Sequence, residues 1–210
     1  MSKITMDFRV LGMIGTNVYL VINQDTKKCI LIDPSDCADK IEEMISDSGC
    51  TLEAVLLTHG HHDHIMAVDQ IREHYNVKIY ASELEKVTLS DPEVNLSSNY
   101  GLNLNVNADV WVKDGEILNL AGMTIRAIST PGHTAGGMCY YIEEADMLYS
   151  GDTLFAASVG RTDFPGGSMS QIVRSVKDKL LILPECTVVF PGHGESSSIG
   201  YEKKYNPFCQ

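Results

Sequence analysis

The stretch Leu56–Ile65, LLTHGHHDHI, holds four of the chain's seven histidines and one aspartate, directly after an apolar run. The run AVLL predicts a strand that is covered on both faces. In an extended segment, side chains two residues apart point the same way, so His59 and His61 can hold one metal ion. Where the chain turns into a predicted helix, Asp63 and His64 are redirected and can reach a second ion. Imidazole nitrogens and carboxylate oxygens both suit borderline divalent metals.

Further residues of the same ligand types follow other predicted strands. His133 lies in TPGHT after MTIRAIST, Asp152 lies in YSGDT after MLYS, and His193 lies in FPGHG after CTVVF. A glycine beside each one lets the backbone turn tightly and approach a metal. If these loops converge, we expect two metal positions that share one carboxylate. The first would be held by His59, His61 and His133, the second by Asp63, His64 and His193, with Asp152 bridging them.

These motifs resemble those of a known superfamily. THGHHDH resembles the T-H-x-H-x-D-H signature of the metallo-β-lactamase-fold hydrolases, and PGHT, SGDT and PGHG follow in that superfamily's order. The resemblance runs from the strand pair near Tyr19 to the carboxyl end. The segments GDTLFAASVGRTDFPGG and SIGYEKKYNPF are similar to small bacterial glyoxalase II-like (hydroxyacylglutathione hydrolase-like) proteins. The resemblance implies an α/β fold, a four-layer αββα sandwich, with a dinuclear metal site at the sheet edges.

The resemblance also implies a reaction. Two divalent ions would activate a bridging hydroxide that attacks a thioester or related acyl ester. We expect Zn²⁺, with Fe or Mn as alternatives. Asp63 and Asp152 would be the catalytic carboxylates that fix the orientation of the hydroxide. Longer relatives carry an additional carboxyl-terminal helical segment that contacts glutathione, whereas 17 residues follow His193 in this sequence. The identity of the thiol carrier is therefore open.

Two other functions are compatible with the same residues. A persulfide dioxygenase would bind one iron through His59, through His61 or His133, and through Asp152. Enzymes of that kind also carry a segment similar to GRTDF. A single iron with oxygen consumption on a persulfide would favour this function. A non-catalytic binding protein on the same fold is the other alternative, since a fold does not fix a function. The presence of all the expected ligands argues against it.

Charge and hydropathy limit the classes of partner that we expect this chain to bind. The chain has 210 residues and a formal charge of −12, which would repel phosphate backbones, so nucleic acid is disfavoured. No segment is apolar over about 18 residues, and the start has no signal-peptide pattern. We expect one domain spanning residues 1–210, a cytoplasmic location, no membrane partner, a small acyl-thiol or ester substrate, and a monomer or homodimer. The six dispersed cysteines predict reduced and mostly buried thiols.

Periodicity predicts alternating strands and helices. NVYLVIN and CILIDP form a predicted hairpin, and a helix follows with Ser35 and Asp36 as capping candidates and Gly49 as its stop. A second helix is predicted from about His64 to His74, and another after a Ser168 cap. Short strands are predicted at AVLL, VKIYA, DVWV, EILNL, MTIRAIST, MCYYIE, MLYS and CTVVF.

Several polar residues have two interpretations. Asp33 either orients a metal-binding histidine and steadies the motif loop or caps the following helix. His62 is predicted to pack or to be solvated rather than to bind metal, and His74 to lie on the surface. Arg161 and Asp163 pair with each other or with the loop backbone, or Arg161 contacts substrate. The remaining candidates are an anion contact at Tyr201, Lys203 and Lys204, and a long excursion at residues 84–106 to which the sequence assigns no role.

Overall fold

The computed structural model describes residues 3–209, and its strands form two six-stranded sheets. The first sheet has the order β1–β6: Ile4–Leu11, Thr16–Asn23, Lys28–Ile32, Thr51–Leu56, Lys78–Ser82 and Val110–Val112. The second contains β7 Ile117–Leu120, β8 Met123–Ser129, β9 Met138–Ile142, β10 Met147–Gly151, β13 Val188–Pro191 and β14 Ser197–Ser198, in the order β14-β13-β10-β9-β8-β7. A small hairpin pairs β11 Leu154–Phe155 with β12 Ser158–Val159.

Short helices connect and cover the sheets. The α-helices are α1 Ala38–Ser48, α2 His62–Ile65, α3 Val68–Tyr75, α4 Lys86–Ser90, α5 Met169–Ser175 and α6 Ile199–Tyr205. Short 3₁₀ helices lie at Glu83–Glu85, Ser97–Tyr100 and Glu143–Ala145, and a π-helical turn, Val176–Leu180, continues α5.

Strand alternation divides the interior into three apolar clusters. In β2, Val18 and Leu20 point to the cluster that α1 and α3 cover, whereas Tyr19 and Val21 point between the sheets. Burying a side chain of this size contributes about 1.5–3 kcal/mol. A third cluster packs the outer face of the second sheet against α5 and α6 through Ile172 and Ile199, among others. Helix, sheet, sheet and helix therefore form four layers, and the predicted αββα sandwich is confirmed.

The details of several elements differ from expectation. The hairpin of β2 and β3, the stop of α1 at Gly49 and the Ser168 cap of α5 are confirmed. Ser35 and Asp36 do not cap α1, since it begins at Ala38 without a side-chain cap. The helix expected across residues 64–74 is two helices, because the Ala67 N–H donates to the carbonyl of Pro34 instead of continuing α2. Strand β1 and helix α6 were not predicted.

The thiols and the helices were compared with the expectations for burial and for membrane spans. All six thiols are free, but only Cys29 and Cys139 are fully buried and Cys186 is exposed, so the expectation that most are buried was wrong. Among the described residues, no helix has the length and apolar character needed to cross a bilayer.

The carboxyl ends of β4, β8, β10 and β13 lie together at one edge of the sandwich. At this edge the sheets are joined directly: the Met138 N–H donates to the Thr58 carbonyl at 2.8 Å, and the Asn17 N–H donates to the Gly192 carbonyl at 2.7 Å. The loops that carry the predicted metal ligands all leave the sheets here.

Candidate metal centre

Asp33 holds the loop that follows β4. Its Oδ1 accepts the Thr58 N–H at 2.7 Å, and its Oδ2 accepts the Thr58 hydroxyl at 2.6 Å. The same Oδ2 lies 2.9 Å from Nδ1 of His64. Of the two interpretations of Asp33, the structure therefore shows the one in which it steadies the motif loop and orients a histidine.

The first group of candidate ligands is His59, His61 and His133. Each offers one ring nitrogen, and these atoms lie within 4.8 Å of one another. The Nδ1 of His59 lies 3.1 Å from the Thr58 hydroxyl, and the Nδ1 of His133 lies 2.8 Å from the Arg161 carbonyl oxygen. These contacts use one nitrogen of each ring and leave Nε2 for a metal.

His61 faces the same point with its other nitrogen. Its Nδ1 lies 2.9 Å from Nε2 of His133. Two nitrogens on one tetrahedral zinc, with bonds of about 2.0–2.1 Å, lie about 3.3 Å apart. The two rings are therefore spaced nearly as they would be around a shared ion.

The second group is Asp63, His64 and His193, whose ligand atoms also lie within 4.8 Å of one another. Asp63 Oδ2 is 3.2 Å from His193 Nε2 and 3.5 Å from His64 Nε2. The hydroxyl of Thr16 donates to Asp63 Oδ2 at 3.1 Å, which holds that carboxylate in place.

Asp152 lies between the two groups. Its Oδ1 is 3.4 Å from His64 Nε2 in the second group, and its Oδ2 is 3.5 Å from His133 Nε2 in the first. The structure thus brings together all the residues that the sequence nominated as ligands, and Asp33, His59 and His64 form a further group of three whose ligand atoms lie within 4.8 Å of one another.

The electrostatics of the site favour cations. Burial, reinforced by neighbouring imidazoles, lowers the pKa of His59 well below its usual value and that of His61 to about 3. Burial also favours a neutral His64, but Asp63 and Asp152 outweigh this effect and raise its pKa. Burial opposes ionisation of Asp63, yet His64 and His193 lower its pKa. His59 and His61 are therefore held neutral, which is the form that binds metal, whereas the ionised carboxylates favour protonated His64 and His193, from which a metal ion at the second position would displace a proton.

Unsatisfied buried atoms fit the same conclusion. Nε2 of His59, Nε2 of His64 and Oδ1 of Asp152 have no hydrogen-bond partner although they are buried. Buried polar atoms are nearly always paired, because an unpaired one costs about 1–3 kcal/mol. Divalent ions at the two positions would satisfy these atoms, so the donor set fits the metals that the superfamily implies.

A cavity of about 570 Å³ opens above the two groups. Ile14, Tyr100, Phe155 and Phe164 contribute apolar parts of its wall. Arg161, whose carbonyl supports His133, also lines the cavity, and its guanidinium pairs with Asp163 through two contacts of 2.7 Å. The guanidinium also lies over the Phe164 ring, 3.9 Å from its centroid. The pairing interpretation of Arg161 therefore holds in this structure.

The other candidates lie outside the two groups. His62 is buried, and its ring lies 4.4 Å from that of Tyr100, so it packs as expected. His74 is exposed beside Glu42. The side chains of Tyr201, Lys203 and Lys204 are not part of the cavity wall.

Sequence reasoning missed several supports of the site. Thr58 contacts both Asp33 and His59, Thr16 holds Asp63, and the carbonyl of Arg161 orients His133. The threonine of the T-H-x-H-x-D-H pattern was a visible signal for Thr58. A backbone carbonyl gives no such signal, since every residue has one.

Two packed sheets with imidazoles and carboxylates gathered at one edge define a metal-binding αββα protein. A family model described as "Metallo-beta-lactamase superfamily" matches residues 11–193, and the chain belongs to that superfamily.

Among curated relatives, the chain is 39% identical over 201 residues to "Probable metallo-hydrolase YqgX" of Bacillus subtilis, covering 94% of each chain. It is 35% identical over 192 residues to "Hydroxyacylglutathione hydrolase GloC" of Haemophilus influenzae, covering 90% of each. These relatives support a hydrolase.

Solved structures agree on the fold. The chain superposes with a TM-score of 0.93 and 36% identity on the BLEG-1 B3 metallo-beta-lactamase, covering 98% of this chain and 100% of that one. For TTHA1623 in a di-iron-bound form the values are 0.85 and 32%, with 96% and 99% covered. For ETHE1 from Myxococcus xanthus they are 0.82 and 29%, with 97% and 83% covered.

Proposed function

We propose that the chain is a hydrolase of thioesters or related acyl esters, with two divalent ions in its active site. One observation carries the proposal: Asp152 lies between two groups of three ligand atoms, with Oδ1 3.4 Å from Nε2 of His64 and Oδ2 3.5 Å from Nε2 of His133 and 3.6 Å from Nε2 of His193. A site for a single ion would not need the second group.

Each group of residues would bind one of the two ions. His59, His61 and His133 would hold one, Asp63, His64 and His193 the other, and Asp152 would contact both. When bound, such a pair of ions lowers the pKa of a water between them towards 7 and polarises a substrate carbonyl. Zinc is our first assignment, and the di-iron form of TTHA1623 makes iron the main alternative.

Asp63 is placed to direct the attacking water. The Thr16 hydroxyl and His193 fix its Oδ2, and the lowered pKa keeps it ionised, so it can only accept hydrogen bonds. A water that donates to this carboxylate has its lone pair turned away from Asp63, towards a carbonyl carbon in the cavity. Asp152 would limit the water's position from the other side.

The cavity wall suits an acyl group. Ile14, Phe155 and Phe164 line the cavity beside the ligands, where an acyl group packed against them would displace water from the reacting atoms and strengthen the electrostatic interactions there. Its one guanidinium, that of Arg161, is occupied by Asp163. The name of the Haemophilus influenzae relative makes a hydroxyacyl thioester of glutathione the first substrate to assay. We also keep the expectation of a cytoplasmic monomer or homodimer without nucleic-acid partners as part of the proposal.

The test is elemental analysis of protein purified without added metal, together with hydrolysis assays on a panel of thioesters, an oxygen ester and a β-lactam. His59→Ala and His133→Ala should abolish turnover with the fold retained, whereas His74→Ala, at an exposed histidine, should behave as wild type. Full hydrolysis by metal-depleted protein would contradict the proposal.

The persulfide dioxygenase is the second candidate, supported by the site residues it would share and weakened by the second ligand group. It predicts one iron per chain and oxygen consumption on a persulfide. Two metal equivalents with thioester turnover and no oxygen uptake would exclude it.

A further inference from the structure

Glu85 is a fully buried carboxylate in the excursion to which the sequence assigned no role. It ends the short 3₁₀ helix after β5 and is 0% exposed. Its Oε2 accepts the Gly60 N–H at 2.9 Å. Its Oε1 accepts the Thr134 hydroxyl at 2.6 Å and the Gly136 N–H at 2.8 Å.

These partners belong to the two loops that carry the first ligand group. Gly60 lies between His59 and His61 in the sequence, and Thr134 directly follows His133. One carboxylate therefore joins the segments that supply all three imidazoles. The loops supplying Asp152 and His193 donate no hydrogen bond to Glu85 among those found in residues 3–209.

Close packing supports the same arrangement. A Cβ at Gly60 would lie 3.1 Å from Glu85 Oε2 and 3.0 Å from the Leu89 nitrogen. A Cβ at Gly136 would lie 2.6 Å from the Leu84 carbonyl carbon and 2.7 Å from the Glu85 nitrogen. Both loops thus approach the segment around Glu85 as closely as glycine permits.

The second ligand group has a different support. His64 is oriented by Asp33, and Asp63 by Thr16. Asp33 also reaches the first group, through the Thr58 hydroxyl that contacts His59, whereas no hydrogen bond found in residues 3–209 links Glu85 to a ligand of the second group.

We propose that Glu85 is a positioning residue that sets the spacing of His59, His61 and His133, and so controls metal affinity at that position and not at the other. The inference rests on the proposed dinuclear site. Outer contacts of this kind typically change metal affinity about 10- to 100-fold when they are lost.

Glu85→Gln is the sharpest variant, because glutamine keeps the shape but has one oxygen. The oxygen can accept hydrogen bonds either from the Gly60 N–H or from the Thr134 hydroxyl and the Gly136 N–H. The amide N–H₂ then faces a donor on the other side and loses that hydrogen bond. Glu202→Gln is the matched control. Glu202 is also 0% exposed and accepts from the Ala157 N–H at 3.0 Å and the Asn206 side chain at 2.7 Å, and these partners do not belong to the loops that carry His59, His61 and His133.

The experiment is titration of metal-free full-length protein with Zn²⁺ against a competing chelator, with zinc counted by elemental analysis. Wild type should bind two equivalents. Glu85→Gln should bind one equivalent normally and the other about 10- to 100-fold more weakly, while Glu202→Gln should bind both normally. Wild-type binding of fewer than two equivalents would overturn the proposed function itself. Two unchanged affinities in Glu85→Gln, or equal weakening of both, would overturn only the role of Glu85.

Double variants identify the affected position. In His193→Ala the first group remains, and adding Glu85→Gln should weaken the remaining zinc by the same factor. In His59→Ala the second group remains, and adding Glu85→Gln should change its affinity by less than about 2-fold, since uncoupled sites are additive. The reverse pattern would contradict the inference. If Glu85→Gln does not fold, Thr134→Val removes one contact and should weaken the same position alone, whereas unchanged zinc binding in it would count against the role.

Discussion

Oδ2 of Asp33 lies 2.9 Å from Nδ1 of His64 and 2.6 Å from the Thr58 hydroxyl, so one buried oxygen connects the start of the motif loop to a ligand of the second group. The two contacts fix both the position of the loop and the rotation of the imidazole. His64 is left with Nε2 towards Asp63 and Asp152.

Asp33→Asn should weaken metal binding at the second position by about 10- to 100-fold, because the carboxylate meets three donors with two oxygens, whereas an amide has one oxygen and turns N–H₂ towards a donor on the other side. Loss of a buried contact to a charged group should also lower the free energy of unfolding by about 1.5–3 kcal/mol. Zinc titration and urea unfolding measure the two effects. Asp36→Asn, on the same loop between β3 and α1, is the control, and unchanged zinc affinity in Asp33→Asn would refute the role assigned to Asp33.

Thr16→Val removes the hydroxyl that donates to Asp63 while keeping the side-chain shape. We expect turnover to fall with little change in zinc content, since Asp63 keeps its contacts with His193 and His64 but loses one constraint on its orientation. A loss of one neutral-donor contact worth about 0.5–1.5 kcal/mol corresponds to a decrease of about 2- to 12-fold. Steady-state hydrolysis with metal analysis of the same sample measures this, and wild-type turnover would show that Thr16 does not act on Asp63.

Gly192→Ala should disrupt the centre from the backbone side. An added Cβ would lie 2.7 Å from Cε1 of His64 and would collide with Oδ1 of Asp152. We expect loss of bound metal and of turnover. Gly194→Ala is the matched control: a Cβ there meets nothing within 4 Å, although its φ of +74° makes alanine mildly strained. Equal metal content in the two variants would contradict this reading of the close approach.

Removal of metal should destabilise the protein without unfolding it. The three apolar clusters lie within the sandwich and contain none of the proposed ligands, so the sheets should persist. An ion present at about 100 times its dissociation constant contributes about 2.7 kcal/mol, which corresponds to roughly 5–11 °C in Tm for a chain of this size. Circular dichroism melts with and without chelator provide the measurement. Complete loss of secondary structure on chelation would mean that the ions are structural, and an unchanged Tm would mean that no ion was bound.

Much of the fold could be predicted from the local sequence pattern. Continuous β-rich apolar runs indicated β2 and β3, and Ser168 indicated the start of α5, because these signals depend on neighbours in sequence. The continuous helix expected from His64 failed because a tertiary hydrogen bond, from Ala67 to Pro34, competes with the local pattern. Strand β1 was missed since its residues alternate weakly and are mostly half-buried at the sheet edge.

The sequence by itself determined which side chains could bind metal and in what order, since His59, His61, Asp63 and His64 are placed by strand and helix geometry over a few residues. The tertiary structure alone decided how those side chains are held. Asp33 and Thr58 are 25 residues apart, and Glu85 and Gly136 are 51 apart. Such contacts form only where two loops meet at the edge of packed sheets, and a backbone acceptor such as the Arg161 carbonyl leaves no mark on residue type.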